Sequence, residues 1–232
     1  ICGLLRRAQE SGDHTHLICA TRGGRNRNPH VVTCDDIVAI RTEEYQRVCS
    51  AIGADHSFLD LPDNGANQWD ELDAEQRLIN ELVRIDPDIV IAVDRGGTSH
   101  PDHMKISDLT TSAFANLPRK DGRSLYYLTG FSSIRAANVF SILLFPKKMR
   151  ARVLSLCAPI GSRIYRINLT RFELSRKIGL IFHHASQFPD EKGRYYSMPL
   201  LVFRWIMRRE RYRRHGEPEQ DRTTVMNVEY LP

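Results

Sequence analysis

Apolar residues recur along this chain in two alternating rhythms. Leu4, Leu5 and Ala8 share one face of a helix that runs through Glu10 and stops at Gly12, where a glycine takes the left-handed turn at little cost. The apolar run Leu17 to Ala20 then reads as a strand, closed by Thr21-Arg22-Gly23-Gly24. A second helix opens at Asp35 or Asp36, carries Ile37, Val38, Tyr45, Val48, Cys49 and Ile52 on one face, and ends at Gly53. Phe58 to Leu61 follows as a strand ended by the turn Pro62-Asp63-Asn64-Gly65. Leu72, Leu78, Ile79, Leu82 and Val83 keep a helical period, and Pro87 closes this third helix ahead of the strand Ile89-Val90-Ile91-Ala92-Val93.

Helix and strand have now alternated three times, which predicts an α/β fold: a parallel sheet with helices on both faces, because a parallel connection must cross over. A helix over 103–117, ended by Pro118, continues the series. Further along, 125–128 and 139–145 read as strands, 146–159 as either helix or strand, and 170–182 as a helix with Phe172, Leu174, Ile178 and Ile181 on or near one face. The segment 199–212 reads as a basic helix, broken by Gly216-Glu217-Pro218. No internal repeat occurs and no linker is rich enough in Gly, Pro or Ser to divide the chain.

Composition adds modest constraints. With 232 residues and 41% hydrophobic content the chain can bury a core, and its balance of 33 − 28 = +5 is too mild to require a nucleic-acid partner. No apolar run approaches the roughly 18 residues of a membrane span. Cys2, Cys19, Cys34, Cys49 and Cys157 form no C-x-x-C pair, which fits a reducing cytoplasm better than a disulfide framework. The chain opens on Ile1, already in a helical pattern and without methionine or signal peptide, so its true start is expected upstream.

His100-Pro101-Asp102-His103 is the segment richest in chemistry. It follows the strand 89–93 through Asp94-Arg95-Gly96-Gly97-Thr98-Ser99, and ligands of parallel α/β sheets bind outside the carboxyl ends of strands. One imidazole of such a pair can ligate a metal while the other acts as an acid or opposes an oxyanion, and the aspartate can orient a ring by accepting its N–H. The same tetrapeptide also reads as an ordinary helix start, with Pro101 in the first turn and Asp102 at the positive end of the dipole.

Neighbouring segments bear on that choice: Arg41-Thr42-Glu43-Glu44, Ala51-Ile52-Gly53-Ala54, Leu59-Asp60-Leu61-Pro62-Asp63-Asn64-Gly65, Pro87-Asp88-Ile89-Val90, then Lys177 and His184-Ala185-Ser186-Gln187. In order and spacing the chain resembles the PIG-L/LmbE-like deacetylases, zinc hydrolases that remove the acetyl group from N-acetylglucosamine-type substrates. The resemblance covers about 3–115 and 165–188, is poor over 118–160 and is absent after about 190. It implies a Rossmann-like fold whose deacetylase domain spans 1–190, with 191–232 as a basic helical extension and tail. By the same resemblance His103 is a zinc ligand, and His100 stabilises the tetrahedral oxyanion or protonates the leaving amine. Asp102 orients and charges His100, while Arg41 and Asp63 line the sugar pocket.

Here the departure from the family matters. A catalytic zinc keeps three protein ligands and an open position, and the family draws two ligands and its aspartate base from a His-Pro-Asp-Asp-Glu segment after its first strand. This sequence has no such segment, so the resemblance implies that the first strand and both further Zn2+ ligands lie upstream of Ile1, and that the chain without them is inert. Thr98-Ser99 and Arg95 also depart from most relatives. The partner so implied is a small amino-sugar substrate, in a cytoplasmic protein with no nucleic-acid partner. A non-catalytic module that keeps the pocket to hold an anionic glycan, lipid or nucleic acid is the alternative.

Three other features have plainer readings. Arg204, Arg208, Arg209, Arg211, Arg213 and Arg214, interleaved with Phe203, Trp205 and Tyr212, read as a solvated basic helix that packs its aromatic face, or as a contact for an anionic surface. His14 and His16 flank a strand at the end opposite the predicted site. Arg22-Gly23-Gly24-Arg25 lacks the spacing and lysine of a phosphate loop and reads as a rim of the pocket.

Overall fold

The structure is a computed structural model that describes residues 1–25, 34–97, 100–129, 164–184, 186, 194–195, 198–199, 204, 207–216 and 225–227. The strand and the undecided segment expected over 139–159 lie outside the described residues. In chain order the elements are α1 (Cys2–Glu10), β1 (His16–Thr21), α2 (Cys34–Ile52), β2 (Asp55–Leu61), α3 (Ala74–Ile85), β3 (Ile89–Val93), α4 (Pro101–Asn116), β4 (Ser124–Leu128), β5 (Ile164–Asn168), α5 (Arg171–Phe182), β6 (Arg194–Tyr195), β7 (Met198–Pro199), β8 (Arg209–Arg214) and β9 (Val225–Asn227). Among the described residues no helix is long and apolar enough to cross a membrane.

Local chemistry explains the boundaries. Gly12 and Gly53 take positive φ just past α1 and α2, and Asp86 does the same at the end of α3, before Pro87. Helix α3 begins only at Ala74, so Leu72 stands ahead of it and is exposed. Thr170 and Glu173 form a reciprocal capping box on α5, and Glu173 also accepts from Arg7 at 2.7 Å, which ties α5 to α1.

Strands β1 and β2 pair in parallel, and β3 pairs with β4 in parallel. The larger sheet has the order β3-β4-β8-β5-β9, with β8 antiparallel to both its neighbours, so the expected parallel sheet is a mixed one. Alternate residues serve opposite faces. Val90, Leu125 and Tyr127 join Leu78, Leu82, Leu109 and Ala113 of α3 and α4 in one core. Ile89, Ile91 and Tyr126 pack with Leu4 of α1, Ile167 and Tyr212 in another. Burial on both faces is why 89–93 reads as an unbroken apolar run.

Residues 209–214 correct the expected basic helix. Arg204 and Met207 are helical, but Arg209–Arg214 is a strand between β4 and β5, inside the sheet rather than in an appended extension. Glu210 and Tyr212 face α1 and are fully buried, while the guanidinium of Arg213 stacks over the Tyr127 ring at 4.6 Å. Arg213 is thus part of the packing of β8. Phe203 and Trp205 lie outside the described residues.

Between the two sheets lies a cavity of about 1390 Å³. Residues 15–21 line it from one side and 89–93 from the other, with Leu4 and Ala8 of α1 and Leu78 and Leu82 of α3 on its faces. Among the described residues no ladder joins β1 to β3, and every residue of β1 is only partly buried.

Glu210 anchors the start of α1. Its carboxylate accepts from the N–H groups of Gly3 (3.1 Å) and Leu4 (3.0 Å), from Lys177 Nζ (2.7 Å) and from the Tyr212 hydroxyl (3.0 Å). Burial alone would raise this carboxyl, and Lys177, with its Nζ at 2.7 Å, lowers it. Removing one partner of a buried ion pair strands the other. Glu210→Ala should therefore lower the free energy of urea unfolding by about 3–5 kcal/mol, and a loss under about 1 kcal/mol would contradict this account.

Candidate functional site

The site is assembled where the C-terminal ends of β1, β2 and β3 meet. After β3 the buried Asp94 accepts the Gly96 N–H at 3.2 Å and lies 3.5 Å from Arg213, which fixes the exit of the chain. His100 is the N-cap of α4, Pro101 occupies its first turn, and His100 Nδ1 accepts the Asp102 N–H at 3.3 Å. An accepting Nδ1 carries no proton, so the ring proton resides on Nε2 and is donated to Asn64 Oδ1 at 3.0 Å. The tetrapeptide is a helix start and, by the same geometry, an aimed imidazole.

Asp102 is 5% exposed. The resemblance implied that its carboxylate orients the His100 ring; instead Oδ2 accepts the Asn64 N–H at 2.7 Å and Oδ1 the Ala66 N–H at 3.2 Å. Its own backbone N–H donates to His100 Nδ1. The carboxylate is drawn to these groups because the turn after β2 presents two N–H donors that no ladder satisfies. Asn64 tolerates the positive φ this turn requires, and a Cβ on Gly65 would collide with Pro62. Trp69, fully buried, closes the turn from behind by donating Nε1–H to the Pro62 carbonyl at 3.0 Å.

His103 lies one turn into α4, with its ring centroid 5.1 Å from that of His100. Burial, then the neighbouring His100, hold its pKa below the ordinary 6.5 against the pull of Asp102 and Asp63, so the neutral ring, a lone-pair donor, is favoured. Asp63 accepts the Arg25 N–H at 3.0 Å and thereby fastens the loop after β1. Arg41, on α2, donates to the Gly23 carbonyl, while its Nε is buried with no hydrogen-bond partner. Arg41, Asp63, Asn64, His100, Asp102, His103 and His184 all line the cavity between the sheets.

This geometry can be set beside known proteins. Residues 1–114 match the family described as PIG-L: GlcNAc-PI de-N-acetylase. That match takes in just under half of the 232 residues. Among solved structures the chain is similar to the A40926 pseudoaglycone deacetylase Dbv21, with 14% identity over 91% of this chain and 88% of that one and a TM-score of 0.62. A deacetylase of teicoplanin biosynthesis gives 14% identity, coverage of 95% and 93%, and a TM-score of 0.62. The N,N'-diacetylchitobiose deacetylase of Pyrococcus horikoshii gives 18%, 68% and 69%, and 0.49. For the two with TM-scores of 0.62 the likeness establishes a shared fold, Rossmann-like in its parallel part. No curated protein matches the sequence.

All five residues expected at the site, Arg41, Asp63, His100, Asp102 and His103, lie within the stretch that matches the PIG-L family and around one cavity. Two neighbours escaped the sequence reading. Asn64 read as a turn former only, although its side chain is the partner of His100. Glu44, buried on α2, accepts from the backbone N–H and the hydroxyl of Ser186, both at 2.7 Å, which links α2 to the segment past the end of α5. Arg41 and Glu44 are three positions apart on the helix, and that spacing was the one signal that they share a face. His14 and His16, as expected, are engaged at the opposite end of β1, by Asp55 at 2.7 Å and Ser57 at 3.0 Å.

Two measurements test this account. Asp102→Ala leaves two backbone N–H groups unpaired and should cost about 2–4 kcal/mol in urea unfolding; a neutral result would refute the tie. His16, His103 and His184 each have a pKa below 6.5, with burial as the first cause. The unfolded chain binds these protons first, so their contribution to stability is intact above 6.5 and is lost as pH falls through the interval down to the lowered values. The urea midpoint should accordingly drop between about pH 7.5 and about pH 5.5, and a rise would reverse the assignment.

Proposed function

We propose that the protein is an N-deacetylase, a hydrolase that removes the acetyl group from an N-acetylglucosamine-type sugar or its conjugate. The observation that best supports this is the aimed pair of His100 and His103 within the stretch that matches the PIG-L family. The structurally similar proteins named as deacetylases of teicoplanin biosynthesis and of A40926 pseudoaglycone are consistent with it. In the reaction, water adds to the acetyl carbon, the C–N bond breaks, and acetate and a free amine leave. The Nε2–H of His100, already donated to an amide-type oxygen in Asn64, is suited to oppose the charge that develops on the acetyl oxygen. Asp102 acts as a positioning residue, through the turn that carries Asn64. Arg41, with its unpartnered Nε, and Asp63 contact the sugar.

Zinc dependence belongs to this proposal but not to the described residues alone. Among them no group of three His, Cys, Asp or Glu could hold a metal, and His103 is a single ligand where a catalytic zinc takes three. They do not fit the ion by themselves, so no step is drawn through it. By the family resemblance the two remaining ligands belong to a segment ahead of Ile1, and the space between β1 and β3, whose lining continues to His103, would offer an extended segment a place. The same shortage of ligands favours, as a second reading, a binding module that holds the sugar without cleaving it.

Acetate release from N-acetylglucosamine distinguishes the two. A form extended ahead of Ile1 should release acetate, lose the activity in His103→Ala and fall about 10²-fold in His100→Ala. Residues 1–232 alone should bind zinc weakly and release none. Turnover that survives His103→Ala would refute the site, and sugar binding without acetate release in the extended form would establish the binding module.

A further inference from the structure

His184 and Ser186 stand beyond the end of α5, far in sequence from the stretch that matches the PIG-L family, yet both are fixed against it. The His184 N–H donates to the Ile181 carbonyl at 3.0 Å, which continues the last turn of the helix. Two residues on, Ser186 gives its backbone N–H to Glu44 Oε1 and its hydroxyl to Glu44 Oε2, both at 2.7 Å. Glu44 is only 4% exposed, and a buried carboxylate with both oxygens engaged by short, charge-assisted bonds has little freedom to release its partner. The chain is therefore held on both sides of His184, which lines the same cavity as Arg41.

Arg41 and Glu44 lie one turn apart on α2, so a single helix face holds the segment and presents the arginine. The Nε of Arg41 is buried without a partner at this wall, a donor that the protein leaves unsatisfied. We propose that His184 is a further substrate-positioning residue, aimed by the Glu44–Ser186 clamp at a hydroxyl of the sugar that also meets Arg41. Burial first, then His183 and Arg41, lower the His184 pKa against the pull of Glu44 and keep the ring neutral. A neutral imidazole offers one donor and one acceptor, the complement of a hydroxyl, whereas an anionic group beside Arg41 would call for a second cation.

The assignment rests on the amino-sugar reading above, and the experiment separates the two. Binding of N-acetylglucosamine to the full chain is measured by calorimetry, with melting temperature as the control for folding. His184→Ala should weaken binding about tenfold at an unchanged melting temperature. Ser186→Ala and Glu44→Gln should each weaken it about threefold to tenfold, with the double variant little worse than either single one. Ser186→Thr, which keeps the hydroxyl and the N–H, should restore affinity to within about twofold. A His184→Ala chain that binds as tightly as the parent overturns the assignment and leaves the deacetylase reading standing. Clamp variants that lower the melting temperature but not the affinity overturn it equally, since the contact would then serve folding alone. A parent chain that binds no N-acetylglucosamine overturns both.

Discussion

The Asp102 carboxylate, buried and bonded to the N–H groups of Asn64 and Ala66, is the contact on which the site depends. A buried charge is tolerated only when its lone pairs are taken up, and here the donors belong to a turn whose backbone has no ladder to join. The result is a rigid junction between the end of β2 and the first turn of α4. His100 and Asn64 face each other because of it, and His103 follows one helical turn behind. The aspartate thus acts on the imidazole indirectly, by holding the residue that receives its proton.

The same device recurs twice and draws distant chain into the domain. Glu210 on β8 caps α1 and neutralises Lys177 of α5, and Glu44 on α2 grips Ser186 past the end of α5. Each links a segment beyond residue 164 to one within the first 52. The match to the PIG-L family ends at residue 114, yet the sheet and the cavity wall are completed by chain that follows much later. Exchange of these carboxylates for apolar residues would remove the specificity of docking along with the charge.

The gap between β1 and β3 is the other organising feature. Two parallel pairs with helices on both faces would form one continuous layer if an extended segment bridged them, at the usual strand spacing of about 4.8 Å. Without such a bridge Leu17, Ile18 and Ala20 remain partly exposed in a position where a doubly covered sheet normally buries them. Among the described residues, the shortage of metal ligands and the separation of β1 from β3 occur around the same cavity.

Much of this was legible in the residues themselves. The helix and strand series through residue 128, the glycine stops, the α5 capping box and the placement of His100-Pro101-Asp102-His103 at a strand's carboxyl end depend on periodicity and caps, which neighbours a few residues apart decide. Strand β8 was not legible, because an alternation of arginine against glutamate and tyrosine carries no hydrophobic signal until the sheet buries it. Nor was the true partner of Asp102, since a carboxylate can satisfy a ring or a backbone and only the approach of the β2 turn selects between them. The Glu44–Ser186 contact spans 142 residues, and no local pattern encodes it. Through residue 128 the sequence determined which segments are helix or strand and which side chains carry chemistry; tertiary structure alone made a strand of 209–214 and decided which buried charge meets which donor, because desolvation penalises every arrangement that leaves one unpaired.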